Sequence, residues 1–155
     1  MKRVFCLILA LATLGGASAQ IAIEKPYAVG ADISWLQWQE ETGVKFSDGG
    51  VEGDALDILR DNGFNYTRLR LFVNPKSELG YSQREGYCDL EHTLAMAKRI
   101  KEAGMMFLLD FHYSDNWADP QKQIMPQAWQ TYSYDEVRDA EIGRASCRER
   151  VFPHV

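Results

Sequence analysis

The 155-residue chain lacks the basic runs with which nucleic-acid-binding proteins contact phosphates, and its formal net charge is −5. It also has only three cysteines, Cys6, Cys88 and Cys147, which are too few for a disulfide framework. No His or basic residue lies beside Cys88 in the sequence, so we expect a packed thiol there rather than a nucleophile. We expect no nucleic-acid partner.

The apolar run nearest the N-terminus, residues 4–14, is too short to span a bilayer permanently. Two basic residues precede it and a small-residue site follows at 17–19, which predicts a signal peptide over residues 1–19 with cleavage before Gln20. No cysteine follows that site to carry a lipid anchor. We therefore expect an exported protein, periplasmic, cell-surface or extracellular, with no membrane attachment after cleavage.

Three further apolar runs are predicted to be strands, at residues 27–34, 66–73 and 106–111. The last of them is continuous and short, which is typical of a strand buried on both faces. One helix is predicted between each successive pair of strands. This alternation indicates a parallel βαβαβ sheet.

The two predicted helices have clear start and stop signals. Each begins after an aspartate N-cap and ends at a glycine, Asp54 with Gly63 and Asp89 with Gly104. Residues 42–53, which precede the first helix, are predicted to be a loop. Each pair of successive strands is therefore separated by one helix and its flanking loops.

A doubly wound sheet and a (β/α)₈ barrel both fit a parallel βαβαβ pattern. The dinucleotide fingerprint G-x-G-x-x-G is absent after the first strand, where the chain reads Asp32-Ile33-Ser34-Trp35. Long polar and aromatic loops after the strand ends favour the barrel. Because such barrels need roughly 200 residues or more, we predict an incomplete α/β fold, the N-terminal part of a TIM barrel with about three βα units.

Chemically reactive side chains follow the third strand. Asp110, His112 and Asp115 lie at its end, and Trp117, Asp119 and Trp129 follow in the loop. Ligands of parallel α/β folds bind at this end of the strands. Asp110 and His112 could suggest a metal-dependent hydrolase, but the other histidines, His92 on a helix and His154 near the end of the sequence, are badly placed as ligands. We predict no metal site.

Arg68 and Arg70 alternate with apolar residues on the second strand and so point to one face. A buried guanidinium needs a partner, because an unpaired buried charge is costly. One interpretation is an ion pair with Asp32 or Asp110. The other is a guanidinium that keeps a catalytic carboxylate ionised.

Four segments carry a resemblance to a known family. They are Gly30-Ala31-Asp32-Ile33-Ser34, the run from Thr67-Arg68-Leu69 to Val73-Asn74-Pro75, Gly86-Tyr87-Cys88-Asp89-Leu90, and the run from Leu109-Asp110-Phe111-His112 to Trp117-Ala118-Asp119-Pro120. In this order and spacing, over residues 27–139, the chain resembles the endo-β-1,4-galactanases of glycoside hydrolase family 53.

The resemblance implies a secreted (β/α)₈ enzyme that cleaves β-1,4-galactan in type I arabinogalactan with retention of configuration. Retention needs two carboxyl groups about 5 to 5.5 Å apart. In the family these are glutamates at the ends of the fourth and seventh strands, the first in an Asn-Glu pair, and neither strand is present here. The family implies no cofactor, apart from a structural calcium that related enzymes can carry in the C-terminal part.

The same resemblance assigns roles residue by residue. Arg68 and His112 would support the catalytic carboxylates rather than perform the chemistry. The substrate would be contacted at both walls of the cleft, by Asp32, Ser34, Asn74, Asp115, Trp117 and Asp119. An indole such as that of Trp117 would give the apolar face of a sugar a flat platform.

The family pattern ends near Asp139, and residues 141–151 show no apolar periodicity that would continue a helix. One back-translation of those residues looks like a common sequencing adapter. We therefore expect residues 20–140 to be the N-terminal portion of a glycosidase barrel and residues 141–155 to be a spurious tail, with a natural basic helix as the alternative. As written, the chain should be inactive on galactan and poorly soluble.

An exported glycan-binding protein is the alternative from another functional class. In such a protein the aromatic loops would hold polysaccharide, and no carboxylate pair would be required. A fourth strand that ends in Asn-Glu would favour the enzyme.

Overall fold

The computed structural model describes residues 27–146. Its strands are β1 (Gly30–Asp32), β2 (Phe46–Asp48), β3 (Val51–Gly53), β4 (Tyr66–Leu71) and β5 (Met106–Phe111). Its helices are α1 (Leu36–Glu41), α2 (Ala55–Asp61), α3 (Leu90–Glu102) and α4 (Tyr134–Ala145), with a short 3₁₀ helix at Gln127–Trp129. Residues 1–26 and 147–155, which hold the predicted signal peptide, Cys147 and His154, lie outside the described residues.

Strands β1, β4 and β5 form a parallel sheet in that order, as the βαβαβ pattern predicts. Asp32 is in register with Arg68, and Arg70 with Asp110, so these four side chains share one face near the carboxyl ends of the strands. Strand β1 covers three residues, fewer than the predicted 27–34. Strand β5 has the predicted bounds.

Both predicted helix starts are confirmed. The Asp54 carboxylate accepts the Leu56 N–H at 2.8 Å, and the Asp89 carboxylate accepts the His92 N–H at 2.8 Å. Gly63 and Gly104 follow the two helices with φ angles of +86° and +76°, a conformation that glycine adopts without strain. Local chemistry thus sets the ends of α2 and α3.

The core lies between the outer face of the sheet and helices α1, α2 and α3. Leu69 of β4 belongs to one buried cluster with Leu36, Leu56, Met96 and Ile100, and Phe107 and Leu109 of β5 pack against this cluster. The opposite face of the sheet carries the charged residues of β1, β4 and β5. The sheet therefore separates an apolar layer from a polar strand-end site.

Two predictions about these elements are wrong. Residues 42–53 are not a loop, because β2 and β3 pair there as an antiparallel hairpin with Gly49 and Gly50 at φ +55° and +84°. Nor is β5 buried on both faces, because Met106 is 58% and Leu108 57% exposed. They lie on the face of the sheet that would point into a barrel, and that face is open.

Helix α4 continues to Ala145, although the sequence of residues 141–151 predicts no such continuation. It buries no side chain, and the Arg144 guanidinium donates a hydrogen bond to the Phe72 carbonyl at 2.6 Å. None of the helices within residues 27–146 has both the length and the apolar composition needed to cross a membrane.

Candidate active site

A strand-end cluster of five side chains occupies the carboxyl ends of the three parallel strands. Its members are Asp32, Arg68, Arg70, Asp110 and His112. Arg68 lies at the centre, where one guanidinium nitrogen donates to Asp32 and another to Asp110. The predicted ion pair of Arg68 is thereby confirmed with both carboxylates at once.

His112 joins this network through Asp110. Its Nε2 lies 2.8 Å from the Asp110 Oδ2 that Arg68 also contacts. The imidazole ring packs edge-on against Phe72 and Trp117, with centroid distances of 5.0 and 5.8 Å. Asp110 therefore fixes the guanidinium and the imidazole relative to each other.

The Asp32 carboxylate is oriented from two sides. Its Oδ1 accepts the Ser34 N–H at 3.0 Å, and its Oδ2 faces both arginines. Partial burial opposes ionisation, but the hydrogen bonds from Ser34, the charge of Arg70 and the hydrogen bond from Arg68 outweigh it and lower the pKa of Asp32. Asp32 is therefore an anion at neutral pH.

Arg70 is the least expected member of the cluster. It is 2% exposed, its Nε lies 3.6 Å from Asp32, and neither Nε nor one terminal nitrogen has a hydrogen-bond partner. Three aromatic rings surround its guanidinium carbon, Trp117 at 4.0 Å, Trp35 at 5.1 Å and Tyr81 at 5.9 Å. Cation–π contacts therefore stabilise the Arg70 guanidinium, which burial has separated from water.

Ser34 and Asp115 hold the loops rather than face open solvent. The Ser34 hydroxyl accepts the Arg70 N–H at 2.9 Å and joins the loop after β1 to β4. Asp115 is 6% exposed, and its two oxygens accept the N–H groups of Asn74 and Gln127, both at 2.9 Å. Asp115 thereby joins the loop after β4 to two parts of the loop after β5.

Asn74 and Asp119 are not members of the cluster. Asn74 is exposed, and its side-chain oxygen accepts the Lys76 N–H at 3.2 Å. Asp119 shapes a turn, because its carboxylate accepts the N–H groups of Gln121 and Lys122 at 2.8 and 2.9 Å. Neither residue was predicted as a turn former.

Two cavities adjoin the aromatic rings around Arg70, and neither is lined by a member of the strand-end cluster. The first, of about 500 Å³, lies between the loops after β4 and β5 and is lined by residues that include Gln83, Asp115, Trp117 and Met125. The second, of about 570 Å³, lies between the start of α1 and residues 80–87. Trp117 is 42% exposed, whereas Trp129 is buried, so the tryptophans divide between the cleft and the core.

Cys88 is a packed residue, as predicted. It is 4% exposed, and burial raises the pKa of its thiol to about 11. Within residues 27–146, no group of three or more His, Cys, Asp or Glu side chains could hold a metal ion.

The model of glycosyl hydrolase family 53 matches residues 28–142. The chain belongs to this family. It is 36% identical over 129 residues to an arabinogalactan endo-β-1,4-galactanase of Cellvibrio japonicus, covering 83% of this chain and 32% of that protein. It is 46% identical over 103 residues to a probable arabinogalactan endo-β-1,4-galactanase A of Aspergillus terreus, covering 66% and 27%.

Solved structures of family 53 give the same result for the fold. The chain superimposes on the family 53 catalytic domain of Ignisphaera aggregans with a TM-score of 0.67 and 43% identity, over 74% of this chain and 32% of that one. These domains are TIM barrels, so the predicted fold class is confirmed. The chain spans about a third of the length of these family 53 relatives.

Proposed function

We propose that this chain is the N-terminal part of an exported, retaining endo-β-1,4-galactanase that hydrolyses the β-1,4-galactan of type I arabinogalactan. Family membership over residues 28–142 supports a galactan-hydrolysing glycosidase. The observation that carries the proposal is the single network of Asp32, Arg68, Asp110 and His112 at the strand ends. Ligands of a parallel barrel bind at that end.

In this proposal Arg68 and His112 support the chemistry without performing it. Both are held by Asp110 and are partly accessible, with side-chain exposures of 39% and 13%. The acid/base and the nucleophile would be glutamates from the fourth and seventh strands of the complete barrel. A guanidinium fixed beside them would favour the ionised form of a carboxylate.

The substrate would be bound mainly through apolar and neutral polar contacts. Trp117 offers an indole that is 42% exposed at the edge of the 500 Å³ cavity, and the hydroxyl-covered galactan chain has no charge to pair. Asp32 and Ser34 would lie at the first-strand end of the cleft. Asp115, Asn74 and Asp119 would act by holding the loops in shape.

The 155 residues by themselves would then not hydrolyse galactan, because both glutamates would be absent. Poor solubility is expected as well, since β5 is an edge strand with Met106 and Leu108 exposed. Soluble, cooperatively unfolding material of this exact sequence that cleaves galactan would contradict the proposal.

The first experiment is to sequence genomic DNA across the codons for residues 139–155 and beyond, from independently prepared template. The expected reading frame continues into a strand that ends in Asn-Glu. The product of that frame should release galacto-oligosaccharides from linear galactan, with the β-anomer formed first as seen by proton NMR. A complete product that binds galactan without cleaving it would favour the glycan-binding alternative.

Export has its own test. Expression with residues 1–19 attached should give a secreted product whose N-terminus, read by mass spectrometry, is Gln20. A product retained in the cytoplasm with Met1 would remove this part of the proposal and leave the glycosidase part unaffected.

A further inference from the structure

We propose that the 570 Å³ cavity is a second carbohydrate subsite, which binds the same galactan chain beyond the 500 Å³ cavity at Trp117. We call it the Trp35–Trp38 groove: Ser34, Trp35 and Trp38 form one wall, and residues 80–85 with Tyr87 form the other. Its volume lies in the range of about 300–1,000 Å³ that is usual for ligand sites. This inference rests on the proposed function and extends it.

The groove has the chemistry of a neutral-sugar site. Trp35 and Trp38 are 48% and 51% exposed, and they present indole surface that could pack on the apolar face of a sugar ring. Ser82, Gln83, Arg84 and Glu85 supply donors and acceptors along the other wall. The two charged groups have opposite signs, which suits an uncharged ligand.

The walls are held together before any ligand arrives. The Tyr87 hydroxyl donates to Glu41 of α1, and the Cys88 thiol lies 3.5 Å from the Ser34 carbonyl. The Ser82 N–H donates to the Pro75 carbonyl at 2.9 Å, which fixes the loop from its other side. A preformed groove loses little conformational entropy when it binds a sugar.

Both walls belong to the described part of the chain. They are formed by the loop after β1 with α1 and by the loop after β4, and β1 and β4 are paired neighbours in the sheet. The groove therefore has two facing walls from adjacent βα units.

The groove also adjoins the proposed cleft. Gly80 and Gln83 line both cavities, and Trp35 packs on the same Arg70 guanidinium as Trp117. A polymer bound near Trp117 could therefore extend past Gln83 into the groove. This continuity is the reason for assigning galactan, rather than an unrelated ligand, to the second cavity.

Trp38→Ala tests the groove in the full product of the gene, with linear galactan and β-1,4-galactotriose as substrates. We expect kcat/KM on the polymer to fall about 10-fold, the size of one lost aromatic contact, and kcat/KM on the trisaccharide to stay unchanged. Binding of β-1,4-galactohexaose, measured by calorimetry, should weaken by the same factor. Trp38→Phe should retain most of the hexaose affinity and of the kcat/KM on the polymer.

Tyr134→Ala is the matched control, because Tyr134 is an exposed aromatic residue, 84% exposed, on a helix that buries no side chain. Equal effects of both alanine variants, or no effect of Trp38→Ala at either substrate length, would overturn the groove while galactan hydrolysis still supports the enzyme. Conversely, a product that cleaves no galactan but loses hexaose affinity in Trp38→Ala would refute the enzyme and keep the groove.

Discussion

Helices α3 and α4 have similar lengths, 13 and 12 residues, and both begin at a side-chain N-cap, yet only α3 buries side chains in the fold. Thr93, Met96, Ala97 and Ile100 of α3 are buried, whereas α4 buries no side chain. Caps and propensity can thus specify a helix, but an apolar face decides whether it stabilises the fold.

Arg99 of α3 and Arg138 of α4 differ in the same way, although Arg144 near the end of α4 donates to the Phe72 carbonyl. Arg99 of α3 forms a two-nitrogen contact with Glu40 of α1 at 2.7 and 2.8 Å and also reaches Asp54, the N-cap of α2. Arg138 of α4 pairs with Asp135 and Asp139 of its own helix. Arg99 connects three elements, while the pairs of Arg138 are local.

The largest contrast is expected from truncating one apolar side chain of each helix. Ile100→Ala creates a cavity at a fully buried position and should lower the free energy of unfolding by about 3 kcal/mol. Tyr134, on α4, is 84% exposed, so Tyr134→Ala should change the free energy of unfolding by less than about 0.5 kcal/mol. Guanidinium unfolding of the soluble gene product measures both. Similar costs would mean that α4 is packed in solution.

A smaller contrast is expected from the arginines. Arg99→Ala removes the contacts with Glu40 and Asp54 and should lower the free energy of unfolding by about 1 to 1.5 kcal/mol. The effect is this large because two guanidinium nitrogens contact the Glu40 carboxylate and the pair is only partly exposed. Arg138→Ala should cost about 0.3 kcal/mol, as is usual for exposed pairs within one helix. If 1 M salt does not reduce the difference between the two variants, ion pairing is not its source.

The N-caps give a third contrast. Asp89→Ala should lower the free energy of unfolding by about 1 kcal/mol, because the cap belongs to a helix that unfolds with the core. Ser133→Ala should fray the start of α4 while changing global stability by less than about 0.3 kcal/mol. Thermal unfolding gives the global effect, and circular dichroism gives the lost helicity. A global loss from Ser133→Ala would show that α4 unfolds with the core.

What the sequence predicts correctly is mostly local. The caps Asp54 and Asp89 and the bounds of β5 depend on residues close together in the chain. The ion pair of Arg68 with Asp32 and Asp110 could also be predicted, because strand alternation and parallel register bring charged residues to one face.

The features that sequence reasoning missed depend on loops that meet only in the fold. The cage around Arg70 combines Trp35, Tyr81 and Trp117, from three separate loops. The alternation that predicts Arg68 also places Arg70 on that face, but it gives no sign of the rings around it. The β2–β3 hairpin has short, polar strands, which give almost no periodic signal.

The smallest expected effect is that of pH on the capping box at the start of α4, which is formed by Ser133 and Glu136. The Glu136 carboxylate accepts the Ser133 N–H at 2.7 Å and its hydroxyl at 2.8 Å, and these hydrogen bonds lower the pKa of Glu136. Because the pKa is lowered in the helix, the stabilisation is present above the ordinary pKa of the carboxyl and is lost as pH falls through the lowered value.

Acidification should therefore fray the first turn of α4, seen as a drift of the ¹³Cα shifts of residues 134–137 towards random-coil values. In Glu136→Gln the amide oxygen can still accept from Ser133 but does not titrate, so this variant should show a flat profile. An acid-induced drift of equal size in Glu136→Gln would place its origin outside the capping box. Since α4 buries no side chain, the drift should leave the midpoint of global unfolding unchanged.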